Sequence, residues 1–204
     1  YSVGMHTIRT LPEVPKDKAL RLAMLFHDVG KPLCVTTDEE GQDHYYGHPQ
    51  IGADLTKNIL RRLKFDNATI QQVCHLIRYH DERPSLTQKS VRRMLSRVGA
   101  EYMPNLLLVK YADLMGQSDY NREKKLAYIK ELEAIFDKLM RENQCTSKSQ
   151  LAISGQDLIA MGLPQGKVIG QVLNQLFEQV LETPELNTKD KLLELAHKIV
   201  APLI

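Results

Sequence analysis

The chain has 204 residues, 43% hydrophobic and 25% charged, with eight Tyr and four Phe as its only aromatics; at roughly 100–200 residues per domain it is one or two domains with apolar material for a real core. A net charge of +2 excludes a strongly basic nucleic-acid binder and an acidic tail protein. The longest apolar run, Leu106-Leu107-Leu108-Val109, is too short to span a bilayer, and no signal peptide is visible, so a cytoplasmic protein with no membrane partner is expected.

In chain order, a helix is predicted over 17–29, capped by Asp17. Leu20, Leu22, Ala23, Met24, Leu25 and Phe26 make it apolar on most faces, hence deeply buried, and Gly30 with Pro32 beyond stops it. A polar stretch from Thr36 to Gly47 turns at Asp38-Glu39-Glu40-Gly41. Ile51, Leu55, Ile59 and Leu63 then recur every four residues as the apolar stripe of a second helix. Asn67 is the expected N-cap of a third, which runs through Ile70, Val73, Leu76 and Ile77 to Tyr79-His80. After the break at Pro84-Ser85, Thr87 caps a helix through Val91, Met94, Leu95 and Val98, ended by Gly99. Pro104 to Met115 is mostly apolar, and Asn121 to Asn143 is a long amphipathic helix with Leu126, Ile129, Leu132, Ile135, Phe136 and Leu139 on one stripe.

Short polar residues from Gln144 to Ser149 mark a linker that separates residues 1–143 from residues 144–204. Beyond it, Ser154 starts a short helix, Gly162-Leu163-Pro164 interrupts, and Val168–Leu181 and Lys189–Val200 supply two more. No segment alternates with period two, so the expected fold is all-α: a helical bundle followed by a small helical C-terminal domain. Residues 150–204 carry net −2 and residues 1–149 net +4, so the basic excess lies in the first part. Cys34, Cys74 and Cys145 form no C-x-x-C and read as reduced, buried thiols.

Five of the seven histidines fall between residues 27 and 80. His27-Asp28 stands at the end of an apolar helix, where burying a carboxylate is costly unless a cation or a partner charge meets it. An imidazole beside a carboxylate suits a divalent metal. His6, His48, His80 and Asp113, the last in the apolar run from Leu106 to Ala112, offer further donors, although their spacing alone does not bring them together. His75 lies about 140° round the third helix from His80 and is not expected as a co-ligand; His44 is assigned to the 36–47 loop and His197 to the surface.

Leu25-Phe26-His27-Asp28-Val29-Gly30-Lys31-Pro32 resembles the signature of the HD superfamily of metal-dependent phosphohydrolases, which are all-helical with an H…HD…D ligand set. The resemblance implies His6, His27, Asp28 and Asp113 as metal ligands, with His48 and His80 as the extra histidines of a two-metal site bridged by Asp28. Tyr46-Gly47-His48-Pro49-Gln50-Ile51-Gly52-Ala53 is similar to the corresponding segment of bacterial CCA-adding tRNA nucleotidyltransferases and poly(A) polymerase-like proteins, which usually carry Glu where Gln50 stands. Ile153-Ser154-Gly155-Gln156-Asp157-Leu158, Gly162-Leu163-Pro164-Gln165-Gly166 and Pro184-Glu185-Leu186-Asn187-Thr188 resemble the C-terminal, tRNA-binding body of the same enzymes. No D-x-D of a nucleotidyltransferase head occurs in the sequence, so the chain as given is not expected to add nucleotides. It is expected to be either the C-terminal part of an enzyme whose head precedes Tyr1, or a freestanding HD phosphohydrolase acting on a nucleotide.

The expected activity is therefore hydrolysis of a phosphomonoester or 2′,3′-cyclic phosphodiester with one or two divalent ions. Mn, Mg, Fe, Co or Ni are favoured by a His/Asp set without Cys, and Zn is compatible with it. Asp28 and Lys31 are the candidate catalytic residues, and Lys31 and Arg83 the candidate phosphate contacts. Arg92, Arg93 and Arg97, at helical spacing, are candidates for contacting tRNA. The alternative is a non-catalytic RNA-binding body in which the HD site is structural.

Overall fold

A computed structural model describes residues 2–200, so the expected head before Tyr1 lies outside the described residues. The described residues form ten α-helices and one very short hairpin, the all-α architecture expected. No helix is long and apolar enough to cross a membrane. The elements are α1 (Val3–Thr10), α2 (Lys18–Phe26), β1 (Thr36–Thr37), β2 (Asp43–His44), α3 (His48–Arg62), α4 (Asn67–Tyr79), α5 (Gln88–Val98), α6 (Met103–Gly116), α7 (Arg122–Arg141), α8 (Gly155–Ala160), α9 (Lys167–Glu182) and α10 (Lys189–Val200). In the hairpin, which period-two reasoning did not anticipate, Thr36 pairs antiparallel with His44 and Thr37 with Asp43.

The chain divides into two compact units, Tyr1–Arg83 with Glu101–Glu133, and Pro84–Ala100 with Ala134–Ile204. Residues 84–100 thus group with the C-terminal part, a cut different from the linear division at 143/144. In the second unit Leu158, Val172, Leu176, Val180, Leu192 and Ala196 are buried together. Its short α8 opens with a reciprocal cap between Ser154 and Asp157. Gly162 (φ +97°) and Gly166 (φ +141°) make the turn before α9.

In the first unit, α2 packs on α1, α3, α4 and α6, with Ala19, Leu20, Ala23 and Met24 buried. Asp17 caps it by accepting from Leu20 N at 2.9 Å. The helix is shorter and less enclosed than its composition predicts: it ends at Phe26, and Leu25 is 44% exposed. Gly30 has an ordinary φ of −77°, so it does not end the helix by a left-handed turn. A Cβ there would run into His48 O and lie 2.8 Å from Gly52 N, which shows that Gly30 lets the start of α3 approach closely.

That approach also resets the buried face of α3. Gly52, Thr56 and Leu60 point inward, while Leu63 of the expected stripe is 56% exposed; small residues let the helix sit close, and the larger side chains flank the contact. In α4 the expected Ile70, Val73, Leu76 and Ile77 are buried. The cap is Asp66 rather than Asn67, its carboxylate accepting from Thr69 N at 2.8 Å and Thr69 Oγ at 2.7 Å. The short α1 carrying His6 was not anticipated at all.

Candidate metal centre

The six residues expected as ligands lie on five elements of the first unit. His6 sits on α1, His27 and Asp28 follow α2 directly, His48 begins α3, His80 follows α4, and Asp113 lies on α6. Helix ends explain much of this placement, because their last carbonyls lack partners within the helix. The His27 Nδ1–H donates to Met24 O at 2.8 Å and the His80 Nδ1–H to Ile77 O at 2.7 Å. At the other end of a helix, His48 Nδ1–H donates to Tyr45 O at 2.9 Å, after Gly47 turns the chain with φ +79°. In a ring that carries a single proton, such a bond places it on Nδ1 and leaves the Nε2 lone pair facing inward.

Asp28, 2% exposed, is the centre of the arrangement. Its Oδ2 lies 3.5 Å from His27 Nε2 and 3.8 Å from His6 Nε2, whereas Oδ1 lies 3.5 Å from His48 Nε2 and 3.8 Å from His80 Nε2. Asp113 Oδ1 stands 2.8 Å from His6 Nε2 and 3.5 Å from His27 Nε2. The other oxygen of Asp113 accepts from Gln117 Nε2 at 3.0 Å. Burial pushes the Asp113 carboxyl up, but the His27 and His6 rings outweigh it and hold the group well below the usual carboxylate range. The same hydrogen bond to Asp113 raises His6 despite its burial. Burial, reinforced by neighbouring His27, pushes His80 down to about 4.

The donor set fits a divalent cation. His6 and His27 bring their Nε2 atoms to 3.1 Å, and His48 and His80 to 3.2 Å. Two lone pairs at such separations repel unless a proton or a metal lies between or beside them. Two triads, His6/His27/Asp28 and Asp28/His48/His80, have all their ligand atoms within 4.8 Å of one another and are wholly buried. Imidazole nitrogen with carboxylate oxygen suits Mn, Fe, Co, Ni or Zn, and each oxygen of Asp28 faces a different triad. Asp113 adds an oxygen to the first.

The remaining candidates are placed less uniformly. Lys31 Nζ lies 2.6 Å from Asp28 Oδ2 and 5.6 Å above the Tyr45 ring, so it is first a partner of the buried carboxylate. Arg83 is exposed, pairs with Asp81 at 2.9 Å and lines the same cavity of about 1170 Å³ as Lys31, His6, Asp28, His48, His80 and Asp113. His44 lies on the hairpin, bonded to Asp38 at 2.7 Å and stacked on Tyr46, and both His44 and Tyr46 also line this cavity. His75 packs on Tyr102 and Tyr79, away from the centre.

Arg92, Arg93 and Arg97 do not form the open basic face expected of them. Arg92 is 5% exposed, and its guanidinium donates to Leu181 O, Glu182 O and Gln144 Oε1. Arg93 pairs with Glu182 and Glu178, and Arg97 donates to Arg93 O at 3.0 Å. Helical spacing set the three side chains near one another, but carbonyls and carboxylates of their own unit answer Arg92 and Arg93.

Sequence reasoning missed two supports. Lys110 is buried on α6 and donates from Nζ to His80 O at 2.8 Å and to Glu82 O, tying down the segment that carries His80; burial pushes its ammonium down to about 8. A lone Lys inside the apolar run of α6 was its visible signal. Gly116 leaves room for His6: a Cβ there would run into Thr10 Cγ2 and lie 3.1 Å from His6 Nδ1.

Residues 50–196 match the model of the family described as tRNA nucleotidyltransferase domain 2. The chain is 31% identical over 183 residues to a CC-adding tRNA nucleotidyltransferase of Thermus thermophilus, covering 89% of this chain and 40% of that protein. It is 32% identical over 166 residues to an A-adding tRNA nucleotidyltransferase of Deinococcus radiodurans, covering 79% of this chain and 37% of that one. A multifunctional CCA protein of Psychromonas ingrahamii is 32% identical over 80 residues, 38% of this chain and 19% of that protein. The chain thus spans about two fifths of the length of the first two relatives. With most of its length matched, it belongs to the tRNA nucleotidyltransferase domain 2 family.

Proposed function

We propose that this chain is the body of a tRNA nucleotidyltransferase-type enzyme and that its first unit carries an HD-type, divalent-metal-dependent phosphohydrolase centre. The observation that carries the reading is the buried Asp28 carboxylate, with His6 and His27 beside one oxygen and His48 and His80 beside the other. On this reading the centre falls within residues 1–143, residues 144–204 belong to the tRNA-binding body, and the enzyme works in the cytoplasm on a phosphate ester. Nucleotidyl transfer belongs to a head that this sequence, which has no D-x-D, does not provide.

A bound divalent ion would polarise a phosphoryl oxygen and lower the pKa of a water molecule. The chain's own part is preorganisation. Backbone carbonyls of Met24, Tyr45 and Ile77 fix three rings by their Nδ1 protons, so Nε2 is presented without reorganisation. Lys31, paired with Asp28 and partly exposed to the cavity, can hold a phosphoryl oxygen as a point charge. Arg83, on the cavity wall, can hold another by turning from Asp81.

The test is metal content and hydrolysis measured together. After chelation and reloading with Mn²⁺, Co²⁺ or Ni²⁺, the protein is expected to bind one or two ions and to hydrolyse 2′,3′-cyclic AMP or p-nitrophenyl phosphate. Asp28→Asn is expected to lose bound metal and at least roughly 100-fold in kcat/KM, beyond the usual loss for a residue that only supports a ligand. Full activity in metal-free protein, or an unaffected Asp28→Asn, overturns the proposal. The family match favours a second reading, an RNA-binding body without turnover; metal-loaded protein that binds tRNA in a salt-dependent way and hydrolyses neither substrate would establish it.

A further inference from the structure

Each oxygen of Asp28 faces a pair of histidines, but Oδ2 also holds an ammonium. Lys31 Nζ lies 2.6 Å from it, closer than His27 Nε2 at 3.5 Å or His6 Nε2 at 3.8 Å. We infer that Lys31 is a tethered competitor for the divalent ion at the His6/His27/Asp28 triad, and that an ion entering this triad releases the ammonium into the cavity as an anion-binding group. The inference rests on the metal-centre reading and adds to it a coupling between metal and anion binding.

The competition follows from charge on one oxygen. An ion held by His6, His27 and Asp28 would stand on the same Oδ2 as the ammonium. Asp28 is 2% exposed, so water screens little of the repulsion between two cations there. Asp113 Oδ1, beside His6 and His27, supplies a second carboxylate to this triad. Two carboxylates balance one divalent ion, and the ammonium is then surplus. On the other side, the groups paired with Oδ1 among the described residues are His48 and His80, and neither brings a fixed positive charge.

Lys31 can leave Asp28 without moving its backbone. Its N–H donates to Asp28 O at 3.0 Å and its carbonyl accepts from Cys34 N at 3.2 Å, so the turn fixes the main chain. The four-carbon side chain is 26% exposed and flexible. Its Nζ already lies 5.6 Å over the Tyr45 ring, whose face offers a cation a second resting place. Lys31, Tyr45 and Arg83 line the metal-site cavity together. A displaced ammonium therefore faces the space open to an anionic ligand. By linkage, an anion that draws Lys31 outward strengthens the ion at Oδ2 by the same factor.

Two measurements test this. In the first, calorimetry gives the Mn²⁺ and Co²⁺ affinities of chelated wild-type, Lys31→Met, Lys31→Gln and Lys31→Arg proteins, each shown to be folded by thermal melting. An ion that no longer displaces a charge-assisted hydrogen bond is expected to bind Lys31→Met roughly 10- to 100-fold more tightly. Lys31→Gln, which keeps a neutral donor for Asp28, is expected to shift the same way, so the test does not depend on Lys31→Met folding; Lys31→Arg, which keeps the charge, is expected to stay close to wild type. In the second, inorganic phosphate is titrated with and without saturating Mn²⁺. Lys31→Met or Lys31→Gln is expected to weaken phosphate about tenfold in metal-loaded protein and to change it little without metal, where Asp28 holds the ammonium. Metal affinity unchanged or lowered in the two uncharged variants overturns the inference, as does a loss of phosphate affinity that is equal with and without metal; both results leave the phosphohydrolase reading intact. Failure of wild type and variants alike to bind metal overturns the reading and the inference together. The expected metal and phosphate shifts without hydrolysis of any ester support the coupling and overturn the hydrolytic reading alone.

Discussion

Gly30 shows how much the packing around the His/Asp cluster depends on space rather than on side-chain donors. It lies between the Asp28 carboxylate and the Lys31 ammonium in sequence, and its missing Cβ is what lets His48 and Gly52 come close. Because the obstruction is backbone on both sides, no side chain can rotate away. Gly30→Ala is expected to destabilise by about 1–3 kcal/mol, the usual range for overpacking, and to lower Tm by roughly 2–4 °C per kcal/mol in a chain of this size. Gly4→Ala is the matching control: a Cβ there meets nothing within 4 Å, and an alanine in a helix is expected to hold or raise Tm. Equal melting of the two variants would show that the close approach carries no strain. At this scale the sequence was legible where chemistry is local: His27-Asp28 stood out because a carboxylate at the end of an apolar helix needs a partner. The closeness of His6, His48, His80 and Asp113 was not contained in their spacing and came through a family resemblance. Gly30 was visible as a glycine, but only the packing shows that it serves contact rather than a turn.

Helix ends place His27, Asp28, His48 and His80, four of the six side chains of the His/Asp cluster, so the signals that set those ends matter here as much as helix interiors. Asp66 illustrates this for α4, whose far end presents His80. Hydrogen bonds from Thr69 N and Thr69 Oγ, with the Lys18 ammonium at 3.2 Å, hold its carboxyl well below the usual carboxylate range. A depressed folded-state pKa means that the cap's contribution is full above the unfolded value of about 3.9 and disappears as pH falls through the lower folded one. Asp66→Ala is expected to melt below wild type at pH 7, with the gap closing progressively as the pH is lowered below about 4. A gap that stays constant to the lowest pH at which the protein folds would assign the loss to something other than the charged cap. Sequence reading put the cap one residue late because Asp66 and Asn67 are both good caps, and only the Thr69 geometry decides between them. Longer elements were easier: α5 followed its apolar periodicity and its Thr87 cap, and α7, α9 and α10 lie within two residues of their predicted ranges. The eight-residue α1 is too short and too mixed to announce itself by period, which is why the element carrying His6 was missed.

In the first unit the His/Asp cluster draws on α1, α3, α6 and the residues just beyond α2 and α4, elements far apart in sequence. A cation bound among them would join all five to one atom or pair of atoms, and nothing equivalent exists in the unfolded chain. Mass action then makes binding free energy part of folding free energy: at a free metal concentration 100 times Kd the gain is about 2.7 kcal/mol. With roughly 2–4 °C per kcal/mol, Mn²⁺, Co²⁺ or Ni²⁺ added to chelated protein is expected to raise Tm by about 5–11 °C. Asp28→Asn should respond little, because one substitution weakens both triads at the carboxylate they share. Asp113→Asn should respond partly, since its oxygen faces only His6 and His27. That graded order separates a metal centre from a network of hydrogen bonds satisfied by Lys31 and by protons on the rings. A self-sufficient network would leave wild-type Tm indifferent to the metal, and both variants would melt alike with or without it.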